Sequence, residues 1–279
     1  MDTEHAILSM RARVCDYAAD GKTVALVPTM GALHEGHLSL VDIAADAADV
    51  VVVSVFVNPL QFGPDEDFGR YPRTLETDAA LLSSRGATVL FAPSVEEMFP
   101  SSSQTTVSPP DFATAFEGAI RPGHFAGVLT VVAKLLNIVQ PRVAVFGRKD
   151  LQQLSMIRAM VLDLNFPVEI VAGETIRGAD GLALSSRNRY LDELSRPRAC
   201  RLRAALLAAR GKFASGVTAA DAIVATGRAE LDVDPSMSID YFDVVSERDF
   251  SAPNLARTGD SIVSAVRIDG TRLIDNILL

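Results

Sequence analysis

The sequence predicts an α/β fold, in which a doubly wound parallel sheet is followed by a smaller α+β C-terminal domain. Short, valine-rich apolar runs alternate with helix-length segments through the first 173 residues, an alternation typical of a parallel sheet. The runs are apolar almost without interruption, as expected of strands that are buried on both faces. Beyond residue 175 the pattern changes to alanine-rich helices and alternating strands.

The strands of the first domain are predicted in chain order at 23–28, 50–57, 87–93, 142–147 and 167–173. The helices between them are predicted at 38–48, 74–86, 127–140 and 151–164. In open sheets of this kind, ligands bind beyond the carboxyl ends of the strands. Polar residues that directly follow the strands are therefore the candidates for a functional site.

The last third of the chain is predicted to be a small α+β unit. Its two alanine-rich helical stretches and three strands are predicted at 195–214, 218–231, 237–246, 260–268 and 271–277. We place the domain boundary near residue 175, which gives a first domain at 1–175 and a second domain at 176–279.

The composition is that of an ordinary globular protein. Hydrophobic residues make up 48% and charged residues 22% of the 279 residues, and the net charge of -9 argues against a nucleic-acid or anionic-membrane surface. Cys15 and Cys200 are the only cysteines, too few for a disulfide scaffold or a cysteine-ligated zinc site. We see no signal-peptide pattern, and the longest apolar run, 50–57, is too short to cross a bilayer. We therefore expect a reduced, cytoplasmic protein without nucleic-acid or membrane partners.

The stretch "VPTMGALHEGHLSL", residues 27–40, holds two of the four histidines. A strand ends here and a glycine-containing turn opens a helix, whose first N–H groups and dipole favour an anion. His34 and His37 are expected one turn apart on one helix face, where both imidazoles could donate to phosphate oxygens, and Gly36 leaves room for a nucleotide. A zinc-protease motif is excluded because Leu38 stands where that motif has histidine. A purely structural histidine pair stays open.

Asn58 and Gln61 follow the most apolar predicted strand, so we expect them at its carboxyl end, beside the histidine motif. Their amides both donate and accept hydrogen bonds, which suits a substrate with hydroxyl and carboxylate groups. The alternative is a plain Asn-Pro turn with Gln61 in solvent. The acidic run at 65–68 is expected to be a solvated loop.

Two further polar segments contain candidate phosphate ligands. In "VFGRKDLQQL", Lys149 is a candidate phosphate ligand and Asp150 could accept from ribose hydroxyls. The alternative there is a solvated pair at a helix start, with Asp150 as N-cap. In "LALSSRN", Ser185, Ser186 and Arg187 supply hydroxyls and a fork-shaped cation, unless they form only a polar turn.

Together these segments offer His, Lys, Arg and Ser donors, as charge stabilisation on a polyphosphate requires. The chain contains no Walker A motif, and no Gly-x-Gly-x-x-Gly turn follows the first predicted strand. The phosphates would therefore be bound by a different arrangement of residues. A fifth polar segment, "RPGHF" with Arg121 and His124, is interpreted as an ordered loop.

Six segments resemble the signature blocks of one family: "PTMGALHEGHLSL", "VFVNPLQF", "YPRT", "RPGHFAGVLTVV", "FGRKDLQQL" and "DGLALSSRNRYL". In this order, across most of residues 27–191, they are similar to the pantothenate synthetases, or pantoate–β-alanine ligases, of the cytidylyltransferase-like superfamily. The resemblance implies a Rossmann-like N-terminal domain at 1–175 that binds nucleotide and pantoate, a smaller C-terminal lid at 176–279, and a homodimer. It also implies a two-step reaction: pantoate and Mg-ATP give pantoyl adenylate and pyrophosphate, and β-alanine then gives pantothenate and AMP.

The resemblance implies a set of ATP contacts in three segments. They are Met30, Gly31, Ala32, Leu33, His34, Glu35, Gly36, His37, Gly147, Arg148, Lys149, Asp150, Ile176, Leu184, Ser185, Ser186 and Arg187. Within this set Gly147 and Asp150 would hold the ribose, and Ile176 would line the adenine pocket.

The resemblance also implies the catalytic and acid-binding residues. His37 is the family's proton donor, although a positioned imidazolium that stabilises the departing pyrophosphate would have the same effect in a mutant. His34 and Lys149 would stabilise phosphate charge beside it. Gln61 and Gln153 would bind pantoate, with Gln61 also close to β-alanine.

The sequence departs from the family pattern at two positions. Arg148 stands where Glu or Gln is common, and Thr77 replaces a frequent acid, which leaves Glu76 and Asp78 as neighbouring carboxylates. The magnesium ligands are therefore unassigned. Two other functions stay open: a nucleotidyltransferase of the same superfamily, which should lack the paired glutamines, and a non-catalytic ATP-binding regulator, which would have lost the phosphate-binding residues.

Overall fold

The computed structural model describes residues 1–64 and 66–279. The chain forms two compact units: the first comprises Met1–Arg148 and Met156–Gly173, and the second comprises Lys149–Ser155 and Glu174–Leu279. The functional roles given above to domains 1–175 and 176–279 stay predictions.

In the described part of the chain, the strands are β1 Asp2–Glu4, β2 Val24–Thr29, β3 Val50–Val55, β4 Val89–Phe91, β5 Val143–Gly147, β6 Glu169–Gly173, β7 Met237–Ser246, β8 Asp260–Ile268 and β9 Thr271–Leu278. The α-helices are α1 Ile7–Ala19, α2 Glu35–Ala47, α3 Leu75–Ser84, α4 Val95–Met98, α5 Glu117–Ile120, α6 His124–Val139, α7 Leu151–Asp163, α8 Ser195–Ala199, α9 Arg201–Ala214 and α10 Ala220–Leu231. Short 3-10 helices lie at Pro59–Gln61, Asp67–Arg70, Asp111–Thr114, Arg148–Asp150 and Ser186–Tyr190.

The first unit is built on a parallel sheet. Among the described residues its strand order is β1-β4-β3-β2-β5-β6, and every neighbouring pair is parallel. The predicted α/β class is therefore confirmed. After β2 the chain builds the sheet outward through β3 and β4, and then returns to the other side of β2 with β5. The carboxyl ends of β2 and β5 thus flank the point where strand order reverses, the usual ligand crevice of such sheets.

The sheet and α2 enclose an apolar core. Val27 of β2 and Val53 of β3 are fully buried, as are Val41 and Ala44 of α2, and all four belong to one cluster. Burial on both faces explains why these strands are almost continuously apolar. This packing fixes where β2 and β3 end, and so where the polar residues after them begin.

Two N-terminal elements are absent from the sequence prediction. β1 has three polar residues and pairs in parallel with β4, with Asp2 opposite Val89, so it lacks the apolar run by which the other strands were identified. The helix α1 buries only Met10 and Val14, which leaves a weak periodic signal. Of the two, β1 extends the edge of the sheet beside β4.

The second unit contains an antiparallel sheet of order β7-β8-β9 within the described residues, together with α9 and α10. Leu202, Ile223 and Ile262 are buried in its core. At Gly227 of α10 a Cβ atom would come within 2.2 Å of the ring of Phe242, so helix and strand approach closely because that residue is glycine. The small α+β unit predicted for the C-terminal third is confirmed.

The most apolar helix, α6, is packed inside the first unit, with Leu129, Val132 and Leu136 almost fully buried. It has 16 residues, too few to span a bilayer. No helix in residues 1–64 and 66–279 is long and apolar enough to cross a membrane.

Candidate active site

The turn that follows β2 adopts an unusual backbone conformation. Gly31 has φ +82° and Ala32 has φ +51°, a left-handed region that non-glycine residues rarely adopt. A Cβ atom at Gly31 would lie 3.0 Å from both Asp78 Oδ2 and Val55 Cγ1, so the turn needs glycine there. Thr29 Oγ1 accepts from the N–H of Gly31 at 3.2 Å and supports the turn from the end of β2.

A buried carboxylate of α3 holds the same turn. The N–H of Ala32 donates to Asp78 Oδ2 at 3.0 Å, and the N–H of Leu33 donates to Oδ1 at 2.9 Å. Thr74 Oγ1 donates to Oδ2 at 3.1 Å. Asp78 is fully buried, and backbone N–H bonds to a carboxylate are the stronger, charge-assisted kind. The turn is therefore fixed from two sides, by β2 and by α3.

His34 and His37 form a capping box at the start of α2. His34 is the N-cap, with extended backbone, and not a helical residue as the spacing had predicted. The ring Nδ1 of His34 accepts from the backbone N–H of Gly36 at 3.1 Å. The backbone N–H of His34 donates to the ring Nδ1 of His37 at 3.4 Å. An accepting Nδ1 needs a lone pair, so the ring proton of each neutral imidazole lies on Nε2. Both rings thus have an Nε2–H donor.

The remaining residues of the motif are placed by α2. Glu35 and Gly36 form its first turn, in which the N–H of Gly36 donates to His34 Nδ1 and the N–H of His37 donates to the carbonyl of His34 at 2.8 Å. The side chain of Glu35 is exposed and forms an ion pair with Arg85 at 2.6 Å. The helix has 13 residues, and its dipole favours an anion beside the rings of His34 and His37.

Gln61 lies in the first unit beside the histidine-motif turn. Its Nε2 lies 3.2 Å from the sulfur of Met30, and its Oε1 accepts from Asn58 Nδ2 at 3.1 Å. Asn58 Nδ2 also donates to the carbonyl of Gly127 at 3.1 Å. Gln61 is 9% exposed, so the alternative of a glutamine in solvent is wrong. The segments that follow β2 and β3 meet here, as the sheet geometry predicted.

The segment after Gln61 is held by a partly buried ionic network. Arg121 donates from Nε and Nη2 to the two carboxylate oxygens of Glu66, each at 2.6 Å. Arg121 Nη1 also contacts His124 Nε2 at 3.1 Å, and His124 Nδ1 donates to the carbonyl of Gln61 at 2.8 Å. The expectation of a solvated acidic loop is therefore wrong for Glu66, whereas Asp65 lies outside the described residues.

Within this network the pKa values of His124 and Glu66 are both lowered. Burial, with the nearby Arg121 cation, lowers the pKa of His124 to about 4. Burial alone would raise the pKa of Glu66, but the hydrogen bonds and charge of Arg121 outweigh it and hold that pKa below its usual value. Near neutral pH the network contains a neutral histidine between a cation and the backbone of Gln61. Sequence analysis treated Arg121 and His124 as an ordered loop only, because their partners lie far away along the chain.

The residues after β5 are divided between the two units. Gly147 ends β5 and Arg148 begins a 3-10 helix in the first unit. In the second unit, Lys149 Nζ lies 4.0 Å from Asp150 Oδ1, and Asp150 is half exposed. Gln153 follows in the first turn of α7 and is partly buried.

In the second unit, a short hairpin precedes the serine-rich segment. The N–H of Leu184 donates to the carbonyl of Ile176 at 2.9 Å. Ser185 then caps the 3-10 helix Ser186–Tyr190, its Oγ accepting from the N–H of Arg187 at 3.2 Å. This geometry gives Ser186 and Arg187 a defined backbone, and their role in phosphate binding stays a prediction.

Sequence analysis missed the residues that hold these second-unit segments. Arg177 donates to both carboxylate oxygens of Asp275 at 2.7 and 2.9 Å and anchors the hairpin on β9. The adjacent Asn276 donates from Nδ2 to the carbonyl of Lys149 at 3.0 Å. Asp275 and Asn276 are 3% and 6% exposed. Two consecutive polar residues between the apolar Ile274 and Ile277 of the final strand were the signal in the sequence.

The described carboxylates near Thr77 form no preformed cluster of metal ligands. The described residues contain no group of three or more His, Cys, Asp or Glu side chains placed to hold a metal ion. Glu76 and Thr77 are exposed on α3, whereas Asp78 already accepts three hydrogen bonds. Mg²⁺ in phosphate-binding sites is usually held by one or two carboxylates plus the substrate phosphates. Asp78 does not fit that role.

Known proteins of one family match this chain over nearly its whole length. The family model described as pantoate-beta-alanine ligase matches residues 3–278. A pantothenate synthetase of Nocardia farcinica is 53% identical over 92% of this chain and 79% of its own length. The crystal structure of a Thermus thermophilus pantothenate synthetase, 46% identical, superposes with a TM-score of 0.95 over 100% of this chain and 99% of that one. The Francisella tularensis ligase, complexed with beta-gamma ATP and beta-alanine, is 33% identical over 100% of this chain and 97% of that one, with a TM-score of 0.81.

Proposed function

Because this chain belongs to the pantoate–β-alanine ligase family, we propose that it joins (R)-pantoate to β-alanine through a pantoyl-adenylate intermediate. The pantoate carboxylate oxygen attacks the α-phosphorus of ATP, and the bond to pyrophosphate breaks. The amine of β-alanine then attacks the acyl carbon, and the acyl–oxygen bond breaks to release AMP. Adenylation is needed because a carboxylate oxygen is a poor leaving group until it is phosphorylated.

The paired histidines at the helix start carry this proposal. Nδ1 of His34 and His37 accepts from the backbone, which supports neutral rings that donate from Nε2. Two such donors at the positive end of α2 would stabilise charge that develops on the leaving pyrophosphate. In this tautomer His37 acts as a hydrogen-bond donor to the pyrophosphate, whereas the proton transfer that the family resemblance implies would need the imidazolium, in which Nδ1 no longer accepts.

The remaining ATP contacts follow the family pattern. Lys149, Ser185, Ser186 and Arg187 are proposed to bind the phosphates, since hydroxyls and long cations suit phosphate oxygens. The contacts proposed for the ribose, the adenine and the backbone of the turn are Gly147, Asp150, Ile176, Leu184 and residues 30–36. Arg148 adds a cation beside this set.

Gln61 and Gln153 are proposed to bind pantoate, and Gln61 is also proposed to contact β-alanine. The amide of Gln61 is held by Met30 and Asn58, and its backbone carbonyl is held by His124. An amide oriented in this way loses little rotamer freedom when substrate binds, which favours affinity and alignment. The β-alanine complex of the Francisella ligase supports this choice of second substrate.

Magnesium is proposed to arrive with ATP as part of the substrate, since the described residues offer no preformed metal cluster. Two alternatives have distinct products. A nucleotidyltransferase would leave the nucleotide joined to its final product, and a regulator would bind ATP without turnover. The family match over residues 3–278 favours the ligase.

Product analysis tests the proposal. With Mg-ATP, pantoate and β-alanine we expect equal amounts of AMP, pyrophosphate and pantothenate, measured by ³¹P NMR and mass spectrometry. Without β-alanine, pyrophosphate should form only to about one equivalent per site, with pantoyl adenylate retained on the protein. A stable adenylylated product would favour the nucleotidyltransferase, and no turnover in either mixture would favour the regulator.

The homodimer implied by the family resemblance is also proposed for this chain. Light scattering coupled to size-exclusion chromatography tests it, since a mass near twice the 29.8 kDa of the chain is expected. The cytoplasmic location stays a prediction.

A further inference from the structure

We propose that Asp78 is a positioning residue for the phosphate-binding turn, and not a ligand of magnesium. Its carboxylate holds the backbone of Ala32 and Leu33, and thereby sets where His34 and His37 present their donors. The expected effect on kcat rests on the proposed function. The hydrogen bonds of Asp78 do not depend on it.

The first argument is the number of partners. Asp78 accepts from two backbone N–H groups and from the hydroxyl of Thr74, at distances between 2.9 and 3.1 Å. The residue is fully buried. A buried carboxylate is tolerated when it is hydrogen-bonded, and a metal ion would have to share two oxygens that already accept three hydrogen bonds.

The second argument is the strain in the turn. Ala32 has φ +51° although it is not glycine, and such a conformation persists only when the surroundings enforce it. Asp78 supplies that enforcement from α3, 46 residues away along the chain. A cavity of about 260 Å³ borders Met30 and Gly31, so the turn has room to shift when the carboxylate no longer holds it.

The third argument is the distance to the catalytic groups along the chain. Leu33, whose N–H is held by Asp78, directly precedes the N-cap His34. A shift of the turn would therefore be transmitted to the imidazoles. Displacements of about 1 Å at reacting groups can cost on the order of 10²-fold in rate.

The test compares Asp78→Asn with Glu76→Gln, a neighbouring carboxylate that is exposed on the same helix. Asparagine has nearly the same shape, but its NH₂ group would face one of the backbone or hydroxyl donors. We expect Asp78→Asn to lower kcat by roughly 10- to 100-fold, with the magnesium concentration for half-maximal rate unchanged within about twofold. Glu76→Gln should keep kcat within about twofold of wild type, since exposed substitutions are usually mild. A raised magnesium requirement in Asp78→Asn, with kcat recovered at high magnesium, would show a metal ligand and overturn the proposal.

A structural readout separates this inference from the proposed reaction. Charge-assisted hydrogen bonds are short and strong, so the amide protons of Ala32 and Leu33 should resonate downfield in wild type and move upfield in Asp78→Asn. If wild type makes no pantothenate, the proposed function fails, but these two amide shifts still decide the hydrogen bonds. Unchanged shifts would overturn the positioning role.

Thr74→Val is the second test variant, for the case that Asp78→Asn does not fold. It removes one of the three donors to Asp78 and keeps the carboxylate. We expect a smaller fall in kcat, about threefold to tenfold, with an unchanged magnesium requirement, since two of the three donors still hold the carboxylate. Wild-type kcat in a folded Thr74→Val variant would contradict the proposal.

Discussion

His34 and His37 lie with their ring centroids 4.1 Å apart and their planes inclined by 30°, and Nδ1 of each ring accepts a backbone N–H. The capping geometry therefore does two things with the same pair of side chains. It satisfies two N–H groups at the start of α2, and it fixes both imidazoles in the tautomer that donates from Nε2.

The four histidines should divide into two tautomer classes. His5 and His124 each direct Nδ1 at a backbone carbonyl, so their neutral rings must carry the proton on Nδ1, opposite to His34 and His37. Long-range ¹⁵N–¹H correlation spectra near pH 8 distinguish the two forms. An Nδ1–H tautomer at His34 or His37 would contradict the capping geometry.

Loss of the proposed phosphate donors should lower the rate of the chemical step. We expect His37→Ala or Lys149→Ala to lower kcat by about 10²–10³-fold, or about 2.7–4 kcal/mol, because each donor acts on charge that develops in the transition state. Steady-state kinetics with ATP and pantoate varied separately measure the effect. A rise confined to KM would argue for simple binding.

Gln153 should affect pantoate more than ATP. Gln153→Ala is expected to raise the KM for pantoate while ATP binding changes little, because only one substrate loses its amide partner. Gln153→Glu keeps the side-chain length but adds charge, so it should weaken pantoate binding further by repelling the carboxylate. Equal losses for both substrates in Gln153→Ala would exclude the assignment.

The buried His124 should make the protein sensitive to acid. Its folded pKa of about 4 lies below the ordinary 6.5, so the unfolded chain binds a proton first as pH falls. Stability contributed by the neutral ring is complete above pH 6.5, and on the order of 3 kcal/mol is lost between that pH and about 4. The lowered pKa of Glu66 acts in the same direction, below its unfolded pKa of about 4.3.

Urea unfolding of wild type and His124→Gln between pH 4.5 and 7.5 measures this dependence. Glutamine does not titrate, so the unfolding free energy of the variant should fall less steeply with acid than that of wild type. Parallel curves would show that His124 does not contribute the acid sensitivity.

The ion pair of Arg177 and Asp275 should matter more than an exposed one. Side chains of this pair are 18% and 1% exposed, and removing one partner of a buried pair costs about 3–5 kcal/mol. Asp275→Asn should therefore destabilise the protein strongly. The matched control is Asp269→Asn, which breaks a more exposed pair with Arg198 and should cost about 0–1 kcal/mol. Similar losses in thermal or urea unfolding would contradict the assignment.

The sequence reveals the ends of the strands but not the distant partners of the residues that follow them. Apolar runs identified β2, β3 and β5, and with them the segments that contain His37, Gln61 and Gly147, because burial on both faces leaves a local pattern. The hydrogen bonds and ion pairs that hold these segments in place leave no such local pattern in the sequence. Ala32 and Asp78 are 46 residues apart, and Arg177 and Asp275 are 98 apart, so their pairing depends on how helices and sheets pack.

Transfer of ¹⁸O from labelled pantoate tests the adenylate route most directly. With pantoate carrying ¹⁸O in its carboxylate, the oxygen that attacks the α-phosphorus remains on phosphorus when the acyl–oxygen bond breaks. We therefore expect one ¹⁸O atom in AMP, detected by mass spectrometry or by its ³¹P isotope shift, and none in pyrophosphate. Label in inorganic phosphate, with ADP as the nucleotide product, would mean an acyl-phosphate route and would contradict the role proposed for the histidine pair.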